Sequence, residues 1–156
     1  SPEYQAFAGW LPSDDTLRDQ MVETHRSYIT DMTTETKNRL LRDVLEGQAK
    51  GESYRDIGRR LEETFKFTRN KANQIARTEL MNSYNTTARL RYKAWGIKRY
   101  RFLAHVGCCH DPKTLRDGTV VERGCEELHG QTFPIDDEIH CPCIHPLCKC
   151  TITPVI

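Results

Sequence analysis

The last third of the sequence is rich in side chains that bind transition metals. All seven cysteines lie between Cys108 and Cys150, interspersed with histidines. An odd number of cysteines cannot pair completely within one chain, and we find no export signal, so metal binding is favoured over disulfides. The candidate ligands are Cys108, Cys109, His110, Cys125, His129, His140, Cys141, Cys143, His145, Cys148 and Cys150.

The spacing of these residues favours a structural zinc site. Structural zinc is bound tetrahedrally by four cysteine or histidine ligands, usually as two close pairs. His145 and Cys148 form one such pair, with two residues between them. A hairpin turn at Asp117-Gly118 would assemble the second pair, because it returns the chain from the first cysteines to Cys125.

We therefore predict one Zn2+ site whose ligands are Cys108, Cys125, His145 and Cys148. Cys109 can replace Cys108 in this set. Cys150 can likewise replace His145, and the remaining thiols are available to a second site. The part of the chain around these residues is short and poor in large apolar side chains, so we expect metal binding to supply much of its folding free energy.

Catalytic use of these residues is the weaker interpretation. A catalytic zinc needs an open coordination position and a nearby general base. Acidic residues are present, but no metallohydrolase pattern such as HExxH occurs; the acids are Glu126, Glu127, Asp136 and Asp137. Cys109 and His110 are adjacent, and sequence neighbours rarely have the geometry of a nucleophile and its base. We predict a protein that is not an enzyme.

A basic segment, residues 66–101, precedes the cysteines. It has ten basic residues and one acidic residue, Glu79, although the whole chain carries a net charge of only +1. Near its end the cations alternate with Tyr92, Trp95 and Tyr100, a pattern that can bind DNA phosphates without sequence preference. The predicted DNA contacts are Arg89, Arg91, Lys93, Lys98, Arg99 and Arg101. The alternative is a solvated face whose cations complement the negative end of a helix.

Four helices are predicted up to residue 97, after an irregular arm over residues 1–12. Their expected starts are Ser13, Thr33 or Thr34, Ser53, and Thr68 or Asn70. Ser53 and Asp56 have the spacing of a capping box, and Gly51 and Gly96 are expected to end two of the helices. The apolar stripes of the first three are Leu17, Met21, Tyr28, Ile29 and Met32; Leu40, Leu41, Val44 and Leu45; and Ile57, Leu61 and Phe65.

The fourth helix has a mixed character. Its apolar line is Ala72, Ile75, Ala76, Met81, Tyr84, Ala88, Tyr92 and Trp95. Polar residues interrupt this line, and they include Arg77, Thr78, Glu79, Asn82 and Asn85. Because buried polar groups need hydrogen-bond partners, we expect them to brace the helix against the part that follows, with a ligand pocket as the alternative.

Residues 98–156 are predicted to form a small β part. Alternation indicates a strand with one face made of Tyr100, Phe102, Ala104 and Val106. Asp117-Gly118 indicates a hairpin with residues 119–121 as the returning strand, and residues 131–133 and 151–156 indicate two more strands. The predicted fold class is α+β: helices over 13–97, then a β part stabilised by zinc over 98–156. No apolar run is long enough to span a membrane.

The order of these motifs resembles the phage Mu F-like minor head proteins, also called head morphogenesis proteins, over about residues 50–156. The matching elements are Ile75-Ala76-Arg77-Thr78-Glu79 with Tyr84-Asn85, then Cys125-Glu-Glu-Leu128-His-Gly130-Gln-Thr-Phe133, and finally His145-Pro-Leu-Cys148-Lys-Cys150-Thr151. One departure is that the family's first cysteine lies only a few residues before the second element, whereas about 16 residues intervene here.

The resemblance implies a structural function in a tailed phage or prophage. It implies a minor capsid component that joins the procapsid in the host cytoplasm and then resides in the virion, in the capsid interior or portal region. The expected partners are the portal and other head proteins, with packaged or ejected double-stranded DNA as a further candidate, and no catalysis is implied. Two other hypotheses are a zinc-containing nucleic-acid-binding module outside a capsid and a metal-dependent hydrolase or nuclease.

Overall fold

The architecture is α+β, with helices first and short strands afterwards, as predicted. A computed structural model describes residues 32–156. The elements in chain order are α1 (Thr34–Ala49), α2 (Tyr54–Phe65), α3 (Arg69–Ala94), β1 (Arg99–Leu103), β2 (Lys113–Thr114), β3 (Val120–Val121), α4 (Cys125–Leu128), β4 (Thr132–Pro134) and β5 (Thr151–Val155). They form two compact units, and the boundary between the units follows Leu80 within α3.

The starts of the first two helices follow the capping signals in the sequence. Thr33 is the N-cap of α1, and its side chain accepts a hydrogen bond from the backbone N–H of Thr36. Ser53 and Asp56 form a complete capping box at α2, in which each side chain accepts from the other residue's backbone N–H. Both arrangements satisfy N–H groups that have no partner within the helix. Gly51 has φ 72° after the end of α1, a conformation that glycine adopts without strain.

The first unit has an apolar core between α1 and α2. The predicted stripes are buried, with Leu40, Leu41 and Val44 from α1 facing Ile57 and Leu61 from α2. Sealing this core from solvent removes apolar surface from water and holds the helix pair together. Phe65 differs from the prediction because it is only half-buried, and its ring stacks on the ring of Phe67 with centroids 5.7 Å apart.

Helix α3 changes character along its length. Its N-terminal half buries Ala72 and Ala76, as predicted. After Leu80 the predicted apolar line is wrong at Tyr84, which is 37% exposed, and at Trp95, which is 62% exposed. Its other members, Met81, Ala88 and Tyr92, are half-buried. The buried face is polar instead and comprises Asn82, Ser83, Asn85, Thr86, Thr87 and Arg89. Backbone groups of the following loops supply partners for Asn82, Asn85 and Arg89, as described below. The hydroxyl of Thr87 has no hydrogen-bond partner within residues 32–156.

A three-stranded antiparallel sheet with the order β4-β1-β5 lies in the second unit. Tyr100 and Phe102 are fully buried on one face, and Arg99 and Arg101 are exposed on the other, which confirms the predicted alternation. The predicted strand is too long, since β1 ends at Leu103 and Val106 is 93% exposed. The backbone turns there, and the N–H of Cys108 donates to the carbonyl of His105 at 2.9 Å.

The predicted hairpin is present as the pair β2 and β3. Gly118 has φ 87°, and the Asp117 carboxylate accepts a hydrogen bond from the Thr119 N–H at 3.0 Å. Strands β4 and β5 match the other two predictions within a residue or two. The short helix α4, which begins at Cys125, was not predicted. One turn of helix is too short for hydrophobic periodicity to reveal.

Some predictions lie outside the described residues. These are the arm over residues 1–12, the helix start at Ser13 and the stripe residues Leu17, Met21, Tyr28 and Ile29. The division of the chain at residues 12 and 97 also stays a prediction.

Within residues 32–156 no helix is both long and apolar enough to cross a bilayer.

The capping box predicts a measurable stability difference within α2. Ser53→Ala removes the side-chain acceptor for the Asp56 N–H, so we expect it to lower the free energy of unfolding by about 1 kcal/mol. The matched control is Thr64→Ala, an exposed position late in the same helix, with an expected effect within about 0.5 kcal/mol. Urea unfolding followed by circular dichroism measures both. Equal stability of the two variants would contradict the assigned cap.

Candidate metal centre

Six cysteine and histidine side chains come together in the second unit. Their ligand atoms form two overlapping groups of four, and within each group the atoms all lie within 4.8 Å of one another. The first group, termed the thiolate group, is Cys108, Cys125, Cys148 and Cys150. The second, termed the histidine group, is Cys108, Cys109, Cys125 and His145. None of the seven cysteines, all of which lie within the described residues, forms a disulfide.

The pairing of β1 with β5 explains how distant parts of the sequence reach this cluster. Leu103, the last residue of β1, lies opposite Thr151, the first residue of β5. Chain that leaves β1 therefore runs beside chain that enters β5. Cys108 follows β1 and Cys150 immediately precedes β5, and their sulfur atoms are 3.2 Å apart. The sheet register thus fixes one edge of the cluster.

The β2–β3 hairpin brings in the third segment, as predicted. It returns the chain from Cys109 to the start of α4, where the N–H of Cys125 donates to the Cys109 sulfur at 3.2 Å. Gly124 permits this approach, since its φ is 59° and a Cβ there would lie 2.5 Å from the Cys109 sulfur. Any larger residue would push Cys109 away, so glycine is required at this position.

The distances within the cluster suit tetrahedral coordination. The Nε2 atom of His145 lies 3.3 Å from the Cys109 sulfur, 3.2 Å from the Cys125 sulfur and 4.0 Å from the Cys108 sulfur. The sulfur atoms of Cys125 and Cys148 are 3.9 Å apart. Ligands of one tetrahedral zinc lie about 3.8 Å apart for two thiolates and about 3.5 Å apart for a thiolate and an imidazole, given the usual bond lengths. Only small shifts would be needed to admit an ion.

The imidazole of His145 is oriented for metal binding. Its Nδ1 atom lies 2.7 Å from the carbonyl oxygen of Pro146, which can only accept a hydrogen bond. In the neutral ring the proton is therefore on Nδ1, and the lone pair is on Nε2, the atom that faces the sulfur atoms. A backbone carbonyl that fixes the histidine tautomer in this way is a common support for a metal ligand.

The sulfur atoms strongly affect each other's ionisation. Hydrogen bonds from neighbouring thiols, Cys125 first among them, hold the pKa of Cys148 far below its usual range. Hydrogen bonding to Cys148 and Cys150, together with burial, raises the pKa of Cys125. Burial lowers the pKa of His145, but hydrogen bonding to the Cys148 thiolate outweighs it and brings that pKa to about 9. The sulfur atoms therefore do not ionise independently of one another, and a bound cation would stabilise them together as thiolates.

Polar residues of α3 hold the loop that carries the last ligands. The Asn85 side-chain amide donates to the carbonyl oxygen of Cys150 at 3.0 Å. The side-chain oxygen of Asn82 accepts from the N–H of Cys143 at 3.4 Å. The prediction that these two polar residues brace the helix against the β part is therefore confirmed, and the contacts explain why α3 buries a polar face.

Five candidate ligands lie outside both groups. Cys141 and Cys143 are buried, and their thiols approach the backbone oxygens of Asn85 and Cys148 respectively. The exposed His110 is paired with Glu126 at 2.6 Å. The other two are His129, whose Nδ1 accepts from the Ala104 N–H, and His140, which is paired with Asp137 and stacks on Phe133.

The acids considered as general bases also have defined surroundings. Glu126 is occupied by His110, and Asp136 binds the Lys93 ammonium at 2.6 Å. Asp137 accepts from the N–H of His140. The Oε2 atom of Glu127 is buried and has no hydrogen-bond partner within residues 32–156. Glu126, Asp136 and Asp137 thus form hydrogen bonds or ion pairs with groups that are not part of the sulfur cluster.

The predicted zinc ligands draw on both groups. Cys108 and Cys125 belong to both, Cys148 to the thiolate group and His145 to the histidine group. The two alternatives left open by the sequence, Cys109 and Cys150, are the remaining members of the cluster. The structure therefore brings together every residue of the predicted set and its alternatives, and the choice of four among them stays a prediction.

The predicted DNA-binding residues have unequal environments. Arg89 is 4% exposed, its guanidinium donates to the Ile135 carbonyl at 2.9 Å, and it is paired with Glu138. Arg89 therefore stabilises the folded chain through buried contacts, and its side chain presents little charge to solvent. Lys93 is half-exposed and paired with Asp136, and the guanidinium of Arg91 lies 4.5 Å from the ring centroid of the exposed Trp95.

The cations on and before β1 are more accessible. Lys98, Arg99 and Arg101 are exposed. The guanidinium of Arg99 donates to the Thr132 carbonyl, and that of Arg101 donates to the Gly130 carbonyl, both from the neighbouring strand region. These hydrogen bonds hold two positive charges over the outer face of the sheet. A DNA contact by the six predicted residues stays a prediction.

The match to a known family covers both the helices and the metal centre. The family model described as "Phage Mu protein F like protein" matches residues 38–153, about three quarters of the chain. The chain belongs to this family. The match begins within α1, earlier than the resemblance over about residues 50–156 indicated, and it ends within β5. No curated protein and no solved structure matches the chain.

Membership gives this Mu F-like protein a broad functional class. The family is one of structural head proteins with a function in phage head morphogenesis, which is consistent with a protein that is not an enzyme and that is found in the virion. Its partners are accordingly other phage head proteins. Cysteine and histidine groups that could hold a metal ion lie within the matched region.

The buried arginine of this Mu F-like protein is predicted to matter for stability. Arg89→Ala leaves the Ile135 carbonyl and Glu138 without their partner, so we expect a loss of about 2 kcal/mol in the free energy of unfolding. Arg91→Ala removes one cation at a more exposed position and should cost less than about 1 kcal/mol. Thermal unfolding compares the two variants. A larger loss for Arg91→Ala would contradict the structural function assigned to Arg89.

Proposed function

We propose that this protein is a minor head protein of a tailed phage or prophage, associated with the portal and containing structural zinc. The observation that carries the proposal is the family match over residues 38–153, which includes every side chain of the metal centre. It acts in the host cytoplasm during assembly and then resides in the virion, in the capsid interior or portal region. No catalytic step belongs to this function.

The donor set supports zinc as the metal. Thiolate and imidazole ligands favour zinc over hard cations such as magnesium or calcium, which prefer oxygen. Three of its six ligands, Cys125, Cys148 and Cys150, are fully buried, and the other three are half-buried. Structural zinc sites are saturated with four protein ligands, whereas catalytic sites keep an open position. We therefore assign the ion a structural function and take Cys108, Cys125, His145 and Cys148 as its first candidate ligands.

The need for an ion follows from the small size of the second unit. Its sheet has three strands of three to five residues, and only Tyr100 and Phe102 among its large apolar side chains are fully buried. The rest of its apolar core is smaller or retains slight exposure and comprises Leu115, Val121, Leu128, Phe133, Ile135, Ile144 and Ile152. A core of this size gives little net stability after the entropy cost of ordering the long loops around it. Metal binding to side chains from three loop segments would hold these loops together.

Analysis of phage heads tests the function directly. Particles from the phage or prophage that encodes this chain should contain it at low copy number, in the same fraction as the portal, when proteins of purified heads are measured by mass spectrometry. Deletion of its gene should reduce the yield of normal heads. Presence in the cell but absence from heads, with normal head yield after deletion, would instead support a nucleic-acid-binding module outside the capsid.

The structural metal has a test of its own. Cys148→Ala is expected to reduce the zinc content and to lower the free energy of unfolding by about 5 kcal/mol or more, because the binding free energy of structural zinc is part of the folding free energy. Cys141→Ala is the matched control, since its thiol is buried but lies outside both ligand groups. Elemental analysis and thermal unfolding measure both. Equal zinc content and melting curves in the two variants would exclude Cys148 as a ligand.

DNA contact is a second component of the proposal, supported by the exposed cations at β1. The triple variant in which Lys98, Arg99 and Arg101 are replaced by Ala should bind duplex DNA more weakly. The slope of log affinity against log salt concentration should also become less steep, by about 1 for each phosphate that the variant no longer neutralises. Replacement of the exposed Arg55, Arg59 and Arg69 by Ala changes the net charge equally and serves as control. Similar binding by both triple variants would rule out a DNA surface at β1.

A further inference from the structure

The two ligand groups of the cluster share two residues. Cys108 and Cys125 belong to both the thiolate group and the histidine group, whereas each of the other four ligands belongs to one. We infer that the cluster is a binuclear centre: two zinc ions, each tetrahedral, bridged by the thiolates of Cys108 and Cys125. This inference rests on the metal centre in the proposed function, and it divides the four ligands named there between two ions, so that Cys148 and His145 bind different ions.

The number of donor atoms fits two ions closely. Two tetrahedral ions have eight coordination positions in all. The cluster has six donors, and two thiolates that each bind both ions fill the remaining positions. The thiolate group would hold one ion and the histidine group the other. The positive charge of two divalent ions would also nearly neutralise five thiolates, which removes the repulsion among these packed sulfur atoms.

The shared sulfur atoms occupy bridging positions. The Cys125 sulfur lies 3.2 Å from His145 Nε2 in the histidine group and 3.9 Å from the Cys148 sulfur in the thiolate group. The Cys108 sulfur lies 4.0 Å from His145 Nε2 and 3.2 Å from the Cys150 sulfur. Each shared sulfur atom therefore contacts terminal ligands of both groups, as a bridging thiolate must.

A single ion would leave donors unused at contact distance. If the thiolate group alone held an ion, Cys109 and His145 would remain 3.3 Å apart beside it without a metal. If the histidine group alone held an ion, the fully buried Cys148 and Cys150 would bind no metal. The surroundings support both sets of terminal ligands. Gly124 leaves room for the Cys109 sulfur, and Asn85 holds the backbone of Cys150.

The number of ions per chain tests this inference on the full protein. Native mass spectrometry, calibrated by elemental analysis, should find two zinc ions per chain after purification without chelators. One ion per chain would overturn the binuclear centre and leave the structural metal of the proposed function in place. A chain that binds no zinc would overturn both.

Substitution with cobalt tests the bridge itself. Two Co2+ ions that share thiolates are magnetically coupled, so the electron paramagnetic resonance signal per cobalt should fall sharply as the second ion binds. Intense near-ultraviolet absorption from sulfur-to-cobalt charge transfer should continue to rise over the same addition. If two cobalt ions bind and their resonance signals simply add, the inference that the ions share thiolates is wrong.

Single variants separate bridging from terminal ligands. Cys109→Ala leaves the thiolate group intact, so it should retain one zinc ion where the unmodified chain holds two. Cys108→Ala removes a ligand from both groups and should retain less zinc than Cys109→Ala. The control is His110→Ala, the neighbour of Cys109 that is exposed and lies outside both groups, and it should keep two ions. Equal zinc content in Cys108→Ala and Cys109→Ala would contradict the bridging assignment.

Discussion

The electrostatics of closely packed sulfur atoms control the second unit of this protein. Five thiols and one imidazole converge from three segments of the chain, and three of these six groups are buried. Thiolates at such distances repel each other, and neutral thiols contribute little to holding loops together. A soft divalent cation would change the balance, because it would replace protons on the sulfur atoms and convert repulsion into coordination bonds. The short strands and irregular loops would then need only a small apolar core.

Two other features position this cluster. The register of β1 with β5 places Cys108 beside Cys150, and the hairpin between β2 and β3 returns the chain to Cys125. Helix α3 supports the final loop through Asn82 and Asn85, which bind backbone groups next to the ligands. These two residues of the polar face thus support the cysteine and histidine cluster, because they satisfy loop backbone that forms no regular sheet.

Local signals predicted much of this architecture, and tertiary contacts account for what they missed. Ser53 with Asp56, the stripe from Leu40 to Leu45 and the Asp117-Gly118 turn act over a few residues, so the sequence reveals them. The end of β1 and the polar face of α3 depend on loops distant in sequence. The six candidate ligand positions could be predicted as a set with alternatives. Their division into two groups that share Cys108 and Cys125 depends on the strand register, the hairpin and the final loop together, and the spacing does not encode these contacts.

Zinc K-edge X-ray absorption of the purified full chain is the most direct test of the metal centre. The zinc should have a first coordination shell of four ligands made mainly of sulfur at about 2.3 Å, with a smaller contribution from imidazole nitrogen. A shell made of oxygen, as for an ion bound nonspecifically at the surface, would contradict it, as would a protein whose sulfur spectrum shows disulfides in place of metal thiolates.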